Sequence, residues 1–222
     1  MEKIHLISAM NQPMDNQFKT PFMLLVNGEF PTHPVPLRFL NSAETIICTD
    51  GSADKLLAHG RTPDVIIGDM DSTKLKKNDF KGVWISSLNQ NKTDLQKTLD
   101  WCIANNLNDV IVLGAMGKRE DHSLGNLHAL AEYSSKIDIT FVSNFAVIYS
   151  FKGKRTFSSL KGQQISIVAI ENVKFISTVG LKYELNNEPF PPACNGISNE
   201  AESDEFTIET TEPIWLFINH LD

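Results

Sequence analysis

The 222 residues carry 41% hydrophobic and 21% charged side chains with a formal net charge of −7, a balance that allows one large domain or two modest ones around a real core. No Lys/Arg run supplies the basic face of a duplex nucleic-acid binder, and the three cysteines (Cys48, Cys102, Cys194) are too scattered for a disulfide framework or a zinc site. No apolar run approaches the ~18–20 residues of a membrane span, and the N-terminus lacks a charged-then-apolar signal pattern, so the expectation is a cytoplasmic protein with no nucleic-acid or membrane partner.

Residues 1–20 read as a polar, weakly patterned lead-in. Regular punctuation follows. Apolar runs at Phe22–Val26, Thr45–Cys48, Val65–Ile67, Val83–Ile85, Asp109–Leu113 and Asp138–Val142 each end on turn residues or close the series. Short continuous runs of this kind suit strands buried on both faces of a parallel sheet. Helical patterns lie between several of them. Ser52–His59 stops at Gly60, a C-terminal cap. Thr93–Asn105 carries Leu95, Leu99, Cys102 and Ile103 on one stripe, with Thr93 and Gln96 fitting a capping box. His122–Tyr133 carries Leu124, Leu127 and Leu130. Near Ser143 the character changes. Runs at Phe145–Phe151, Arg155–Phe157, Gln164–Ile170, Lys174–Val179, Glu205–Glu209 and Ile214–Ile218 are short and β-rich, with no helical stripe between them. The expected architecture is an α/β N-terminal domain (1–142), an open and mainly parallel sheet flanked by helices, followed by an all-β C-terminal sandwich (143–222).

In an open α/β sheet, ligands bind beyond the carboxyl ends of the strands. Asp50, Asp69, Asp71 and Asp121 sit at or after such ends, and Asp94 opens the helix at Thr93. Singly, each is also what a turn or a helix cap uses. For Asp69-Met-Asp71 an apolar strand ends directly on the pair. Clustered carboxylates repel one another and call for a cation. Hard oxygen ligands select Mg²⁺, held by one or two carboxylates plus substrate phosphates. Gly114-Ala-Met-Gly117-Lys118-Arg119-Glu-Asp121-His122 adds two glycines that let backbone approach a phosphate, and positive charge from Lys118 and Arg119. Neither G-x-x-x-x-G-K-[ST] nor G-x-G-x-x-G occurs, so metal and basic side chains must hold the phosphates. These residue types alone reach a Mg²⁺-dependent nucleotide enzyme of α/β type.

Thr49-Asp50-Gly51-Ser52-Ala53-Asp54, Pro63-Asp64-Val65-Ile66-Ile67-Gly68-Asp69-Met70-Asp71-Ser72, Lys92-Thr93-Asp94 and Gly117-Lys118-Arg119-Glu120-Asp121-His122 with Asn126 resemble, in order and spacing, the thiamine pyrophosphokinases. Gly180-Leu-Lys-Tyr-Glu-Leu185 and Gly196-Ile-Ser-Asn-Glu200 resemble that family's C-terminal motifs, so the likeness runs from about Phe22 to the C-terminus. It implies transfer of pyrophosphate from Mg²⁺-ATP to thiamine, giving thiamine diphosphate and AMP, in a homodimer with thiamine at the subunit interface. It further implies metal positions at Asp69, Asp71 and Asp94. ATP-binding positions fall at Asp50, Gln96, Arg119 and His122, and thiamine-binding positions at Ser198, Asn199 and Trp215. Of the catalytic set Asp71, Asp94, Asp121 and Arg119, either Asp71 or Asp121 would take the hydroxyl proton. The chain departs from the family pattern at Ser52, Asp54 and Asn91, where a second glycine, an Asn and an Asp are usual. Two other readings stay open. One is a sugar-nucleotide transferase, whose acidic pair Asp69-x-Asp71 also resembles; the other is a non-catalytic thiamine- or nucleotide-binding module.

Overall fold

The structure is a computed structural model and describes residues 18–69, 72–76, 80–86 and 91–221. Six short strands form its parallel part: β1 (Phe22–Leu25), β2 (Thr45–Thr49), β3 (Val65–Gly68), β4 (Val83–Ser86), β5 (Val110–Leu113) and β6 (Ile139–Val142), in the order β4-β3-β2-β1-β5-β6. Each lies within a residue or two of its expected run. Their apolar continuity follows from burial on both faces. Phe22 and Leu24 of β1 join Leu95, Leu99, Trp101, Leu130 and Tyr133 in one core layer. Met23 and Leu25 face the other way, onto Leu40, Ala53 and Leu56.

Helices α1 (Pro34–Ser42), α2 (Asp50–Ala58), α3 (Asp94–Ala104) and α4 (Glu120–Tyr133) cover the sheet. The capping box of α3 forms as its sequence predicts, with the Gln96 N–H donating to the Thr93 hydroxyl and the Thr93 N–H to the Gln96 carboxamide. Gly60 closes α2 at φ +85°, and the N–H groups of Gly60 and Arg61 return to the carbonyls of Leu57 and Leu56. Helix α1, which carries Pro34 and Pro36, was not expected from the sequence. Both fall in the first turn, where proline removes no helical hydrogen bond, and the His33 side chain caps the turn by accepting from the Val35 N–H.

After β6 the chain turns at Ser143 and runs back beside it as β7 (Ala146–Ser158), the first antiparallel neighbour. Everything beyond is β: β8 (Gln164–Ala169), β9 (Val173–Val179), β10 (Glu188–Phe190), β11 (Asn199–Glu200) and β12 (Glu205–Asn219). An α/β part followed by a β part is the coarse organisation expected. Four expected strands merge into two long ones, because β7 and β12 pair along their whole length and skip register only between Thr210 and Ile214. That skip lets β12 serve two partners, β9 along Thr207–Thr210 and β8 along Ile214–Ile218. A second apolar core, with Phe151, Ile167, Ile176, Phe206, Ile208 and Leu216, fills the resulting fold. The short β10 and β11 were also missed, having two or three residues and little alternation. Among the described residues no helix is long and apolar enough to cross a membrane.

The C-terminal strand is pinned back to α1 by two imidazoles. His33 and His220 stack with centroids 4.6 Å apart, and His220 Nε2 lies 2.9 Å from the Ser143 carbonyl. Burial depresses the His220 pKa, and the neighbouring His33 and Arg38 depress it further, against the raising effect of the Ser143 carbonyl. A histidine whose folded pKa is depressed contributes stability that is complete above its unfolded pKa of ~6.5 and lost as pH falls from there through the folded value. The melting temperature is therefore expected to drop more steeply between pH 7 and pH 5 in the parent chain than in His220→Asn. Parallel pH profiles for the two would contradict this.

Candidate active site

Strand β1 is the point where the sheet changes direction. The chain leaves it toward β2, β3 and β4 on one side and returns to β5 on the other. Connections that depart in opposite directions leave a crevice at the carboxyl ends, the place where open α/β sheets bind ligands. The cleft there measures about 450 Å³. Its wall comes from Val26–Gly28 after β1, Thr49 on β2, Asp69 and Ser72 after β3, the start of α3, the Ala115–Arg119 loop after β5, and His122 and Asn126 on α4.

The two loops at the switch point are laid on one another by backbone bonds. The Val26, Gly28 and Glu29 N–H groups donate to the carbonyls of Leu113, Gly114 and Met116 at 2.8, 2.8 and 2.9 Å. A Cβ on Gly28 would stand 2.2 Å from the Gly114 oxygen, and one on Gly114, at φ +69°, would stand 2.4 Å from the Val26 oxygen. Gly114, read from the sequence as room for a phosphate, is thus required first by this loop-on-loop packing. The Lys55 ammonium donates to the Gly28 carbonyl at 2.7 Å, and Lys55 and Lys118 both reach the Asn27 carbonyl at 3.3 Å. Burial and then the charge of Lys118 lower the Lys55 pKa. Positive charge is thereby gathered against the β1 turn in a chain whose net charge is −7.

The acidic residues take different positions. Asp69 and Asp94 line the cleft. Asp50, 2% exposed, begins α2 and accepts from the Gly51 N–H; its carboxyl lies so close to β3 that a Cβ on Gly68 would sit 2.5 Å from its Cγ. Asp71 lies outside the described residues. Asp94 accepts from Lys97 Nζ at 3.0 Å. Lys97 is 7% exposed and lines the cleft, a cation that sequence reasoning missed. Its signal was present as an Asp–Lys pair at i,i+3 on a helix face. At the rim, the guanidinium of Arg119 grips the carboxylate of Asp121 through two N–H donors, and the His122 N–H donates to the same carboxylate. Arg119 holds the Asp121 pKa down at about 2, so Asp121 in this arrangement is a weak base.

Other expected residues lie elsewhere. The Gln96 carboxamide is used in the cap of α3 and by Glu132 at 3.2 Å, and is not in the cleft wall. Ser198 (φ +61°) and Asn199 are on the β part. Asn199 spends its side chain on the backbone N–H and carbonyl of Tyr183. Trp215, 7% exposed, packs edge-on to His128 and donates its indole N–H to the Leu127 carbonyl at 2.9 Å, supporting α4 from behind. Ser198, Asn199 and Trp215 are therefore not brought to the cleft within one chain. Of the departures from the family pattern, the buried Ser52 hydroxyl meets the carbonyls of Leu25 and Thr49. Asp54 takes the Thr73 hydroxyl and the Lys74 N–H on separate oxygens, tying Thr73 and Lys74 to α2.

The oxygen donors at Asp69 and Asp94 suit a hard divalent cation. Among the described residues no three His, Cys, Asp or Glu side chains converge.

The family model for the thiamin pyrophosphokinase catalytic domain matches residues 37–141, and that for the thiamin pyrophosphokinase vitamin B1 binding domain matches 152–215. The chain belongs to the thiamin pyrophosphokinase family. Thiamine pyrophosphokinase 2 of Arabidopsis thaliana is 27% identical over 206 residues, covering 79% of this chain and 77% of that protein. Thiamin pyrophosphokinase 1 of Caenorhabditis elegans is 28% identical over 163 residues, covering 66% and 67%. Among solved structures, thiamin pyrophosphokinase of Geobacillus thermodenitrificans superposes with TM-score 0.74 at 25% identity, covering 90% of this chain and 97% of that one. The Bacillus subtilis thiamine pyrophosphokinase gives TM-score 0.75 at 22% identity, covering 90% and 99%, and so shares the fold. The catalytic-domain match spans every cleft residue from Thr49 to Asn126, and the second match spans Ser198, Asn199 and Trp215.

Two substitutions test this geometry. Gly68→Ala is expected to push Asp50 from its seat, costing about 1–3 kcal/mol of stability as an overpacked site does, and to lower turnover; an unchanged denaturation midpoint would contradict it. Trp215→Ala is expected to cost roughly 3–5 kcal/mol as a buried aromatic truncation, with Trp215→Phe milder. A stability-neutral Trp215→Ala would remove its supporting role.

Proposed function

We propose that the chain transfers a pyrophosphoryl group from ATP to the hydroxyl of thiamine, releasing thiamine diphosphate and AMP. The observation that carries this reading is the pair of family matches, with one cleft at the switch point lined by carboxylates together with Lys97, Lys118 and Arg119. The thiamine oxygen attacks the β-phosphorus, the bond from that phosphorus to the oxygen bridging it to the α-phosphorus breaks, and AMP leaves with the bridging oxygen. Such a reaction depends mainly on positioning and charge neutralisation.

In this reading Mg²⁺ is the metal, with Asp69, Asp71 and Asp94 to hold it, and when bound it neutralises charge on the phosphates. Lys118 and Lys97 add fixed positive charge along the cleft, and Arg119 shares its guanidinium between a phosphate and Asp121. With Asp121 held near 2 by Arg119, the hydroxyl proton is assigned to Asp71. Asp50 and His122 flank the nucleotide, and Gln96 acts by capping α3. The thiamine residues Ser198, Asn199 and Trp215 lie on the β part, so the acceptor site needs a second copy of the chain. Tyr183 and Ile197, exposed at 66% and 50% beside Ser198 and Asn199, support such a homodimer contact. The division at residue 143, the two-layer β sandwich beyond it and a cytoplasmic place of action belong to the same proposal.

Incubating the pure protein with ATP, Mg²⁺ and thiamine should yield AMP and thiamine diphosphate in equal amounts, with EDTA abolishing both. ADP in place of AMP, or turnover of a sugar nucleotide instead, would overturn the reading. Asp71→Asn should keep the fold and lower turnover at least ~100-fold, the scale of a lost general base. Near-normal turnover in a folded Asp71→Asn protein would refute the proton assignment.

A further inference from the structure

A second cleft, of about 760 Å³, opens at the other end of the molecule. Asn108 precedes β5, and Ile137 and Asp138 precede β6, so it lies at the amino ends of the parallel strands, away from the switch-point crevice. Its opposite wall is the bend in the two long strands, where Thr211–Pro213 of β12 stand against the single residue Lys152 of β7. The lining brings three cations, Lys136, Lys152 and Arg155, to one carboxylate, Asp138. Lys136 is paired with Glu132 at 3.3 Å. Lys152 and Arg155 enter no ion pair among the described residues. Arg155 instead rests over the rings of Phe151 and Phe157, at 5.6 and 6.0 Å from their centroids. The nearby Glu212 carboxylate is engaged by the Thr211 hydroxyl and the Lys174 N–H.

An independent feature points at the same place. Ser150, 4% exposed, lies in the cleft wall, and its hydroxyl has no hydrogen-bond partner among the described residues. Buried hydroxyls are almost always paired, and one that is not marks a position where a ligand or water belongs. The neighbouring Ser134 and Ser135 are satisfied by backbone carbonyls of α4.

We propose that this cleft is a second binding site, separate from the catalytic crevice, for a small molecule bearing a phosphate or diphosphate group. Arg155 supplies a planar fork that matches phosphate oxygens, Lys152 a point charge, and Ser150 a neutral donor once the anion draws the wall onto itself. The volume is in the range of small-molecule sites.

The test is an amide chemical-shift titration of the ¹⁵N-labelled full chain with metal-free inorganic pyrophosphate. Saturable shifts are expected at 135–138 and 150–155, separate from any at 26–28 and 115–122. In the double variant Lys152→Gln/Arg155→Gln, both positions being exposed, the first group should need at least ~10-fold more pyrophosphate, the scale of lost charge-assisted bonds, while AMP formation is unchanged. Ser150→Ala should weaken the same group without affecting the second. Shifts confined to the catalytic crevice, or an identical titration of the first group in the double variant, would overturn the proposal.

Discussion

The site depends on the placement of β1. This four-residue strand is hydrogen-bonded on both sides, to β2 and to β5, and the chain leaves it in one direction and comes back in the other. The loops after β1 and β5 are joined by the backbone bonds of Val26, Gly28 and Glu29 and by the Lys118 ammonium on the Asn27 carbonyl. Those bonds require close approach, and close approach requires glycine at 28 and 114. The crevice beside them has a floor of main chain and walls of side chains from separate units. A small movement of either loop would be felt by Lys55 and Lys118, which share the Asn27 carbonyl, and by Asn126, whose side chain holds the Ala115 carbonyl at 2.7 Å.

Charge follows the same geometry. The protein as a whole is acidic, yet Lys55, Lys97 and Lys118 are drawn in at the carboxyl ends of the strands, each held by a nearby oxygen. Carboxylates at Asp69 and Asp94 face the same space. A pocket with both signs suits a metal–phosphate ligand better than a free anion or a free cation. The β part acts on this site indirectly. Trp215 fixes the middle of α4 through the Leu127 carbonyl, one residue from Asn126, so packing at the junction bears on the loop that carries Lys118 and Arg119.

Much of this was legible in the sequence, for identifiable reasons. The parallel strands are buried on both faces, so their signal is a continuous apolar run, and Thr93 with Gln96 announced a capping box that forms. Helix α1 was hidden because proline forbids a helix interior but not its first turn. Strands β7 and β12 each looked like two, since charged residues and Gly153 at the bend break the alternation while the pairing continues through it. At the cleft, motif order located Asp69, Asp94, Arg119 and His122. Side-chain direction was not legible: Gln96 turns to Glu132, Trp215 turns to Leu127, and Lys97 turns inward, although Gln96 and Lys97 are consecutive residues of one helix. A motif fixes which residues are near a site, while packing decides which of them face it.

The most direct measurement is a crystal structure with Mn²⁺ and a non-hydrolysable ATP analogue, using anomalous scattering to locate the metal. The predicted result is a peak in the crevice within reach of Asp69 and Asp94, with the phosphates between the 26–28 and 115–119 loops. A metal and nucleotide bound elsewhere, with Asp69 and Asp94 both untouched, would contradict the account.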